Sequence, residues 1–280
     1  MPTVNDAVTR TKRLLHSNTR TELDAVHTLL AADDTTVRLK YQTDGIRAGS
    51  YISIGDGTNP YETMYVHARN GEYATVQRGI DGSAGYAWPA GTTIEVEPRF
   101  TAHQIHEAVK DAILALPDNL YAVDTKAVSF STTQQSVTTV FTDGFNQVLS
   151  ATRTARAGED RLLAFNIKVQ EYGGAYEVIR QEGIEKAVTA QVTYAHPFVT
   201  GTLTLAIDLV STVGMTVEMT DIPALGAAAS LLLGEESLRL DLHSQGDSRA
   251  DAAVAAGDRA RYSLVLQAQY DRRVSEEARR

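Results

Sequence analysis

Residues Arg78-Gly79-Ile80-Asp81-Gly82-Ser83-Ala84-Gly85-Tyr86-Ala87-Trp88-Pro89-Ala90-Gly91-Thr92-Thr93-Ile94-Glu95-Val96 set turn formers between two strand-like runs, as in a glycine-punctuated hairpin. Asp81-Gly82 favours a tight turn, because glycine adopts positive φ without steric cost. Upstream of this stretch the sequence alternates with period two. Thr36, Arg38 and Lys40 interleave with Val37, Leu39 and Tyr41, the pattern of a half-buried strand. Ser50 to Ile54 sets Tyr51 and Ser53 opposite Ile52 and Ile54. Glu62 to Ala68 and Tyr73 to Arg78 flank Asn70-Gly71, a hairpin signal because both residues tolerate positive φ. Thr92 to Val96 closes the set. Short strands joined by X-Gly turns predict a small barrel or sandwich over residues 35–99, read here as a β-barrel.

On the N-terminal side, residues 1–34 read as a helical segment. Thr3 caps a helix to Leu15, Asp6 lies in its first turn, and Val4, Ala7, Val8, Thr11, Leu14 and Leu15 share a face. Ser17 to Thr21 breaks it, and Glu22 to Ala32 places Leu23, Val26, Leu29 and Leu30 at helical or irregular spacing. On the C-terminal side, Pro98 ends the barrel and residues 100–119 form a connecting helix. Its cap is Thr101, its apolar stripe is Ile105, Ala108, Val109, Ala112, Ile113 and Leu116, and Pro117 stops it.

Residues 120–280 predict a β-sandwich with short helices and a charged tail. Strands are expected at Arg161–Val169, Ala175–Arg180, Val188–Tyr194, Thr202–Val210 and Met215–Met219, with a turn at Thr142-Asp143-Gly144. Ala224–Leu233 and Asp251–Ala256 favour helix, whereas Arg261–Arg272 fits strand or helix. The polar stretch Leu120–Phe141 and the tail Arg272–Arg280 are candidates for ordering by neighbouring subunits. The fold class is thus α+β, mainly β.

Hydrophobic residues make up 43 % of the 280-residue chain and charged residues 22 %, which argues for a folded chain. The net charge of −9 offers no footprint for broad nucleic-acid binding. Without cysteine there are no disulfides, thiolate metal sites or cysteine nucleophiles. Met1 to Arg20 carries Lys12 and Arg13 without an apolar signal core, and the longest apolar stretch, Ala224 to Leu233, is too short to span a bilayer.

No catalytic constellation stands out. His103 and His106 lie three apart, but Glu107 follows them, whereas the hydrolase motif needs histidines four apart with the glutamate between. A polar helix face accounts for them. Asp33, Asp34, Asp56 and Asp81 read as turn formers rather than calcium ligands. Glu235-Glu236 lacks a spaced carboxylate partner, and Gly79–Gly85 lacks the Gly-Lys-Ser/Thr ending of a phosphate loop. A hydrolase would have to draw on His106 or Glu235. Arg153, Arg156 and Arg161 read as a solvated basic cluster. Trp88, beside Tyr86 and Pro89, is a core residue or an interface anchor. The expectation is a chain with no catalytic residue, no cofactor and no metal.

Arg78-Gly79-x-x-Gly82-Ser83, an aromatic, then Gly91-x-x-Ile94 resembles the Arg-Gly-x-x-Gly-Thr…His-x-x-Gly…Val segment of tailed-bacteriophage structural proteins. Ser83 replaces the usual threonine and Trp88 the histidine. Arg20-Thr21-Glu22-Leu23-Asp24 leading into Thr35–Leu39, then Val96-Glu97-Pro98-Arg99-Phe100, is similar to the same group. So, more weakly, is Ile222-Pro223-Ala224-Leu225 running through Ala227–Glu236 to Asp247-Ser248-Arg249. The resemblance implies a non-enzymatic neck or head-to-tail connector (adaptor) protein of the virion, assembled in the bacterial host cytoplasm. It implies a homo-oligomeric ring or sleeve that contacts portal, capsid, tail or neck subunits. Genome DNA would pass by without specific binding, and no membrane would be involved. A minor tail or baseplate protein and a receptor- or carbohydrate-binding module are the alternatives. Arg78, Tyr86, Trp88, Arg272, Arg273, Arg279 and Arg280 are the expected interface residues.

Overall fold

The computed structural model describes residues 2–16, 22–57, 59–117, 120–141, 145–154, 162–172, 175–181, 187–198, 203–244 and 258–279. They divide into two units. The first comprises residues 1–116, 200–210 and 217–280, and the second comprises 117–199 and 211–216. The C-terminal helices therefore belong with the N-terminal sheet, rather than with the β-rich unit expected over 120–280.

The first unit holds six antiparallel strands: β1 (Glu22–Ala25), β2 (Thr36–Arg38), β3 (Tyr51–Gly55), β4 (Glu62–Asn70), β5 (Tyr73–Ile80) and β6 (Thr93–Val96). Their order is β1-β6-β3-β4-β5-β2. The expected barrel is instead an open, curled sheet. Its end strands β1 and β2 meet only through a single bridge between Val26 and Leu39. The Arg78–Val96 stretch is not a simple hairpin either, because β6 pairs with β1 and β3 and not with β5. Alternate strand residues face one core, including Val37, Ile52, Ile54, Met64, Val66, Ala74, Val76, Ile94 and Val96, with Val26, Leu30, Leu39 and Trp88 filling it.

Residues 22–32 are extended rather than helical. The Asp24 carboxylate accepts the backbone N–H groups of Ala25 (2.7 Å), Tyr41 (2.8 Å) and Thr43 (2.8 Å). Such side chain–backbone bonds offer the chain an alternative to helix. Burial works to raise the Asp24 pKa, but these N–H bonds together hold it below the usual carboxylate value.

Four helices complete the unit: α1 (Val4–His16), α2 (Ala102–Leu114), α3 (Ile222–Ser244) and α4 (Asp258–Glu277). α3 packs against the other three. Thr3 and Asp6 cap α1 reciprocally, and the N–H groups of Val4 and Asn5 donate to the carbonyls of Ile207 and Leu205. Among the described residues of the expected strand 202–210, pairing is limited to a single bridge, Thr3 to Asp208. Its buried Leu203, Leu205 and Leu209 keep a period of two without a ladder. Met215–Met219 likewise holds a short 3-10 turn, Val217–Met219, in place of a strand.

α2 has the full capping box of Thr101 and Gln104, as the sequence predicts for Thr101. α3 buries Ile222, Ala224, Leu225, Ala227, Ala228, Ala229 and Leu232, the mark of a central core helix. Residues Val217–Glu235 are apolar enough over their length to cross a membrane, but half of that window is buried within the fold. α4 resolves Arg261–Arg272 as helix and carries the expected loose tail on to Glu277 in helical form. The expected helix at 251–256 lies outside the described residues, as does the turn at 142–144.

The second unit has seven strands: β7 (Ala122–Phe130), β8 (Ser136–Thr139), β9 (Gln147–Thr154), β10 (Leu162–Ala164), β11 (Ile167–Tyr172), β12 (Ala175–Arg180) and β13 (Val188–His196). The expected sandwich is two separate sheets, β10-β9-β13-β7 and β11-β12-β8. One apolar cluster draws on both: Val128, Phe130, Phe141, Phe165, Val178, Ala190, Val192 and Tyr194. The polar stretch from Leu120 to Phe141 supplies β7, whose alternating Val128 and Phe130 reach that cluster, and β8, whose Val137 packs against it.

Candidate functional site

The Arg78–Val96 stretch is organised around a carboxylate that sequence reading passed over. Glu62, at the start of β4, is fully buried. It accepts from Arg78 Nε (2.6 Å), Arg78 Nη2 (2.7 Å) and Trp88 Nε1 (2.7 Å), and from the backbone N–H groups of Gly79 (3.2 Å) and Tyr86 (3.3 Å). Arg78 spends its remaining donors on the carbonyls of Ala31 (2.7 Å), Asp34 (3.1 Å) and Tyr86 (2.6 Å). The fork of the guanidinium suits this two-sided task, since it presents five fixed donors.

Around that centre the glycines serve geometry. Gly79 and Gly82 have positive φ, as does Asp81 between them. A Cβ on Gly85 would lie 2.9 Å from the Ala32 carbonyl. Ser83 donates to the Ile80 carbonyl (2.7 Å) and accepts from the Thr63 N–H (2.9 Å), so a serine suffices where the resembling segment has threonine.

These contacts engage three of the expected interface residues within the chain itself. Trp88 is wholly buried, the Arg78 side chain is 9 % exposed, and Tyr86 is half-buried edge-on to Trp88. Arg78 and Trp88 act inside the fold, and Tyr86 keeps part of its ring exposed. The basic residues of α4 stand on the surface with partners of their own. Arg272 pairs with Glu276, and Arg273 with Asp221, Glu276 and Glu277. Arg279 is exposed, and Arg280 lies outside the described residues. So do Arg156 and Arg161.

The surface feature of the first unit is an open groove of about 830 Å³ on the outer side of the curled sheet. Tyr51, Tyr65 and Gln77 line it from one cross-strand row, since Tyr51 pairs with Tyr65 and Tyr65 with Gln77. The Tyr51 and Tyr65 rings meet edge to face at 5.2 Å. Asp81, Glu97, Arg99 and Gln104 edge the groove, and Thr63 lines it from the next row. A second open cavity of about 630 Å³ shares Asp81, Arg99 and Gln104, and adds His103, Glu107 and Asp111 of α2 and Glu235 of α3. Arg99 Nε donates to Glu235 at 2.8 Å, so these two charges satisfy each other.

The two histidines of α2 sit in different settings. His106 is buried, and burial pushes its pKa down, with Glu107 at 3.7 Å offsetting only part of that. His103 lines the smaller cavity. Among the described residues, no group of three or more His, Cys, Asp or Glu is placed to hold a metal ion.

Sequence reading missed Glu62, Tyr51, Tyr65 and Glu97. In the sequence Glu62 shows only as the head of a strand-like run, and its burial appears with the fold. Comparison with models of known protein families finds no match, and comparison with curated proteins finds none.

Proposed function

We propose that this chain is a non-enzymatic structural subunit of a tailed-phage virion, part of the neck or head-to-tail connection, that assembles with its own copies and with other virion proteins. The observation that carries this reading is the use made of the Arg78–Trp88 segment. Every polar side chain that marks its resemblance to phage structural proteins is consumed inside the fold, by Glu62 and by backbone carbonyls. A motif spent on architecture suits a building block, whereas a reaction centre keeps its ionisable groups open to a substrate. Exposed apolar side chains where β1 meets the chain beyond β2, Leu23 and Tyr41, agree with contacts to neighbours. A ring would use heterologous contacts, in which two different patches of one subunit meet.

The test is quantitative mass spectrometry of gradient-purified particles. We expect the chain at a fixed ratio to the portal subunit. Its presence only in the soluble fraction of the lysate would overturn the reading.

A further inference from the structure

The groove over β3, β4 and β5 gathers side chains with unused hydrogen-bonding capacity. Asp81 and Glu97 both line it, both are exposed, and neither carboxylate has a partner within the described residues. Both also hold a strained backbone. Among the described residues only Gln42, Asp81 and Glu97 combine positive φ with a side chain, at 55°, 57° and 42°. Such strain persists where surrounding structure imposes it, and it clusters at binding sites.

A separate observation lies on the floor. Thr63 is 1 % exposed, and its hydroxyl Oγ1 has no hydrogen-bond partner, although the residue lines the groove. A buried hydroxyl left unpaired is costly unless something else satisfies it. Tyr51, half exposed, lines the groove together with these acceptors. The lining cation, Arg99, is already neutralised by Glu235, so the open charge of the groove is negative. The first amides of α2 do not reverse that sign, because Thr101 and Ser53 accept the N–H groups of Gln104 and Ala102.

We propose that this groove takes the guanidinium of an arginine presented by a partner polypeptide. A guanidinium is planar and donor-only, stacks on an aromatic face and forks onto carboxylates. Tyr51 supplies the platform, Asp81 and Glu97 the anions, and Thr63 a further acceptor. The proposal deepens the assembly reading and rests on it for the partner's source, a neighbouring virion subunit.

The experiment is titration of the purified full-length chain with a blocked Gly-Arg-Gly peptide, followed through the tyrosine ring resonances by nuclear magnetic resonance. The same peptide with citrulline and a neutral chito-oligosaccharide serve as comparison ligands. Saturable shifts of Tyr51 and Tyr65 are expected with the arginine peptide, with citrulline binding about tenfold weaker or worse. The double variant Asp81→Asn, Glu97→Gln should lose about tenfold in affinity at unchanged thermal unfolding, because Asn tolerates the left-handed backbone of Asp81. Absence of saturable binding, equal binding of the citrulline peptide, or an unaffected variant would overturn the proposal. Preferential binding of the oligosaccharide would overturn it in favour of a sugar site. A chain that enters particles but ignores the peptide defeats the groove alone, and one that binds the peptide but is missing from particles defeats the assembly reading alone.

Discussion

At the scale of single residues, Glu62 and Arg78 hold the most concentrated interaction in the first unit. The Glu62 side chain is 0 % and that of Arg78 9 % exposed, so each depends on the other for its charge. Glu62→Gln leaves a buried guanidinium without its anion, and breaking such a pair costs about 3–5 kcal/mol. Urea unfolding should show a loss of that order, whereas a loss below about 1 kcal/mol would mean that the network is peripheral to folding. Arg78→Lys should also lose stability, because an ammonium cannot fork onto a carboxylate and three carbonyls at once. The sequence displayed one side of this arrangement. Arg78, the glycines and Trp88 stand close together in the chain, so their joint role was open to reading. Glu62 lies 16 residues from Arg78, and only folding brings the two together.

Among elements, the attachment of α1 to the sheet has a pH signature. Tyr61 donates to Asn5 Oδ1 at 2.8 Å, and Lys12 Nζ sits 4.8 Å from the centre of its ring. Burial pushes the Tyr61 pKa up to about 12, with Glu95 and Asp56 adding to it. The folded state thus holds this proton more tightly than the unfolded chain, where the phenol titrates near its ordinary value of about 10. The resulting stability is fully present below about pH 10 and is lost as pH rises through about 12. Unfolding free energies measured across that range should fall, and the fall should be shallower in Tyr61→Phe. An identical slope in the variant would contradict the assignment.

Elements were legible where a local pattern and the tertiary environment agree. α2 has its cap, its stripe and its proline stop in sequence, and it forms as expected from Ala102 to Leu114. Residues 203–209 show the opposite case. Their alternating leucines are buried, but their carbonyls go to the first turn of α1 rather than to a strand, a choice that no local pattern encodes. Likewise β1 looked helical because Leu23, Val26 and Leu30 fall at helical intervals. The Asp24 carboxylate, bonded to the chain near residues 41 and 43, decides the matter.

For the whole molecule, chain order misleads about grouping. A β-rich segment, 117–199, is inserted in sequence between α2 and α3, yet both of those helices belong to one unit. Turn signals mark strands well and say nothing of which distant segment completes a bundle, so the boundary near residue 120 was legible and the return of the chain to the first unit was not. The candidate site divides in the same way. The glycine-rich motif was visible in sequence, whereas the groove needs Tyr51, Tyr65, Asp81 and Glu97 from four places in the chain. These units are proposed to serve as parts of a virion assembly. Electron cryomicroscopy of purified particles tests this most directly. The expected result is a ring at the head-to-tail junction whose repeating density fits the six-stranded curled sheet with its helices. A junction fully accounted for by other chains, with this fold nowhere in the particle, would contradict it.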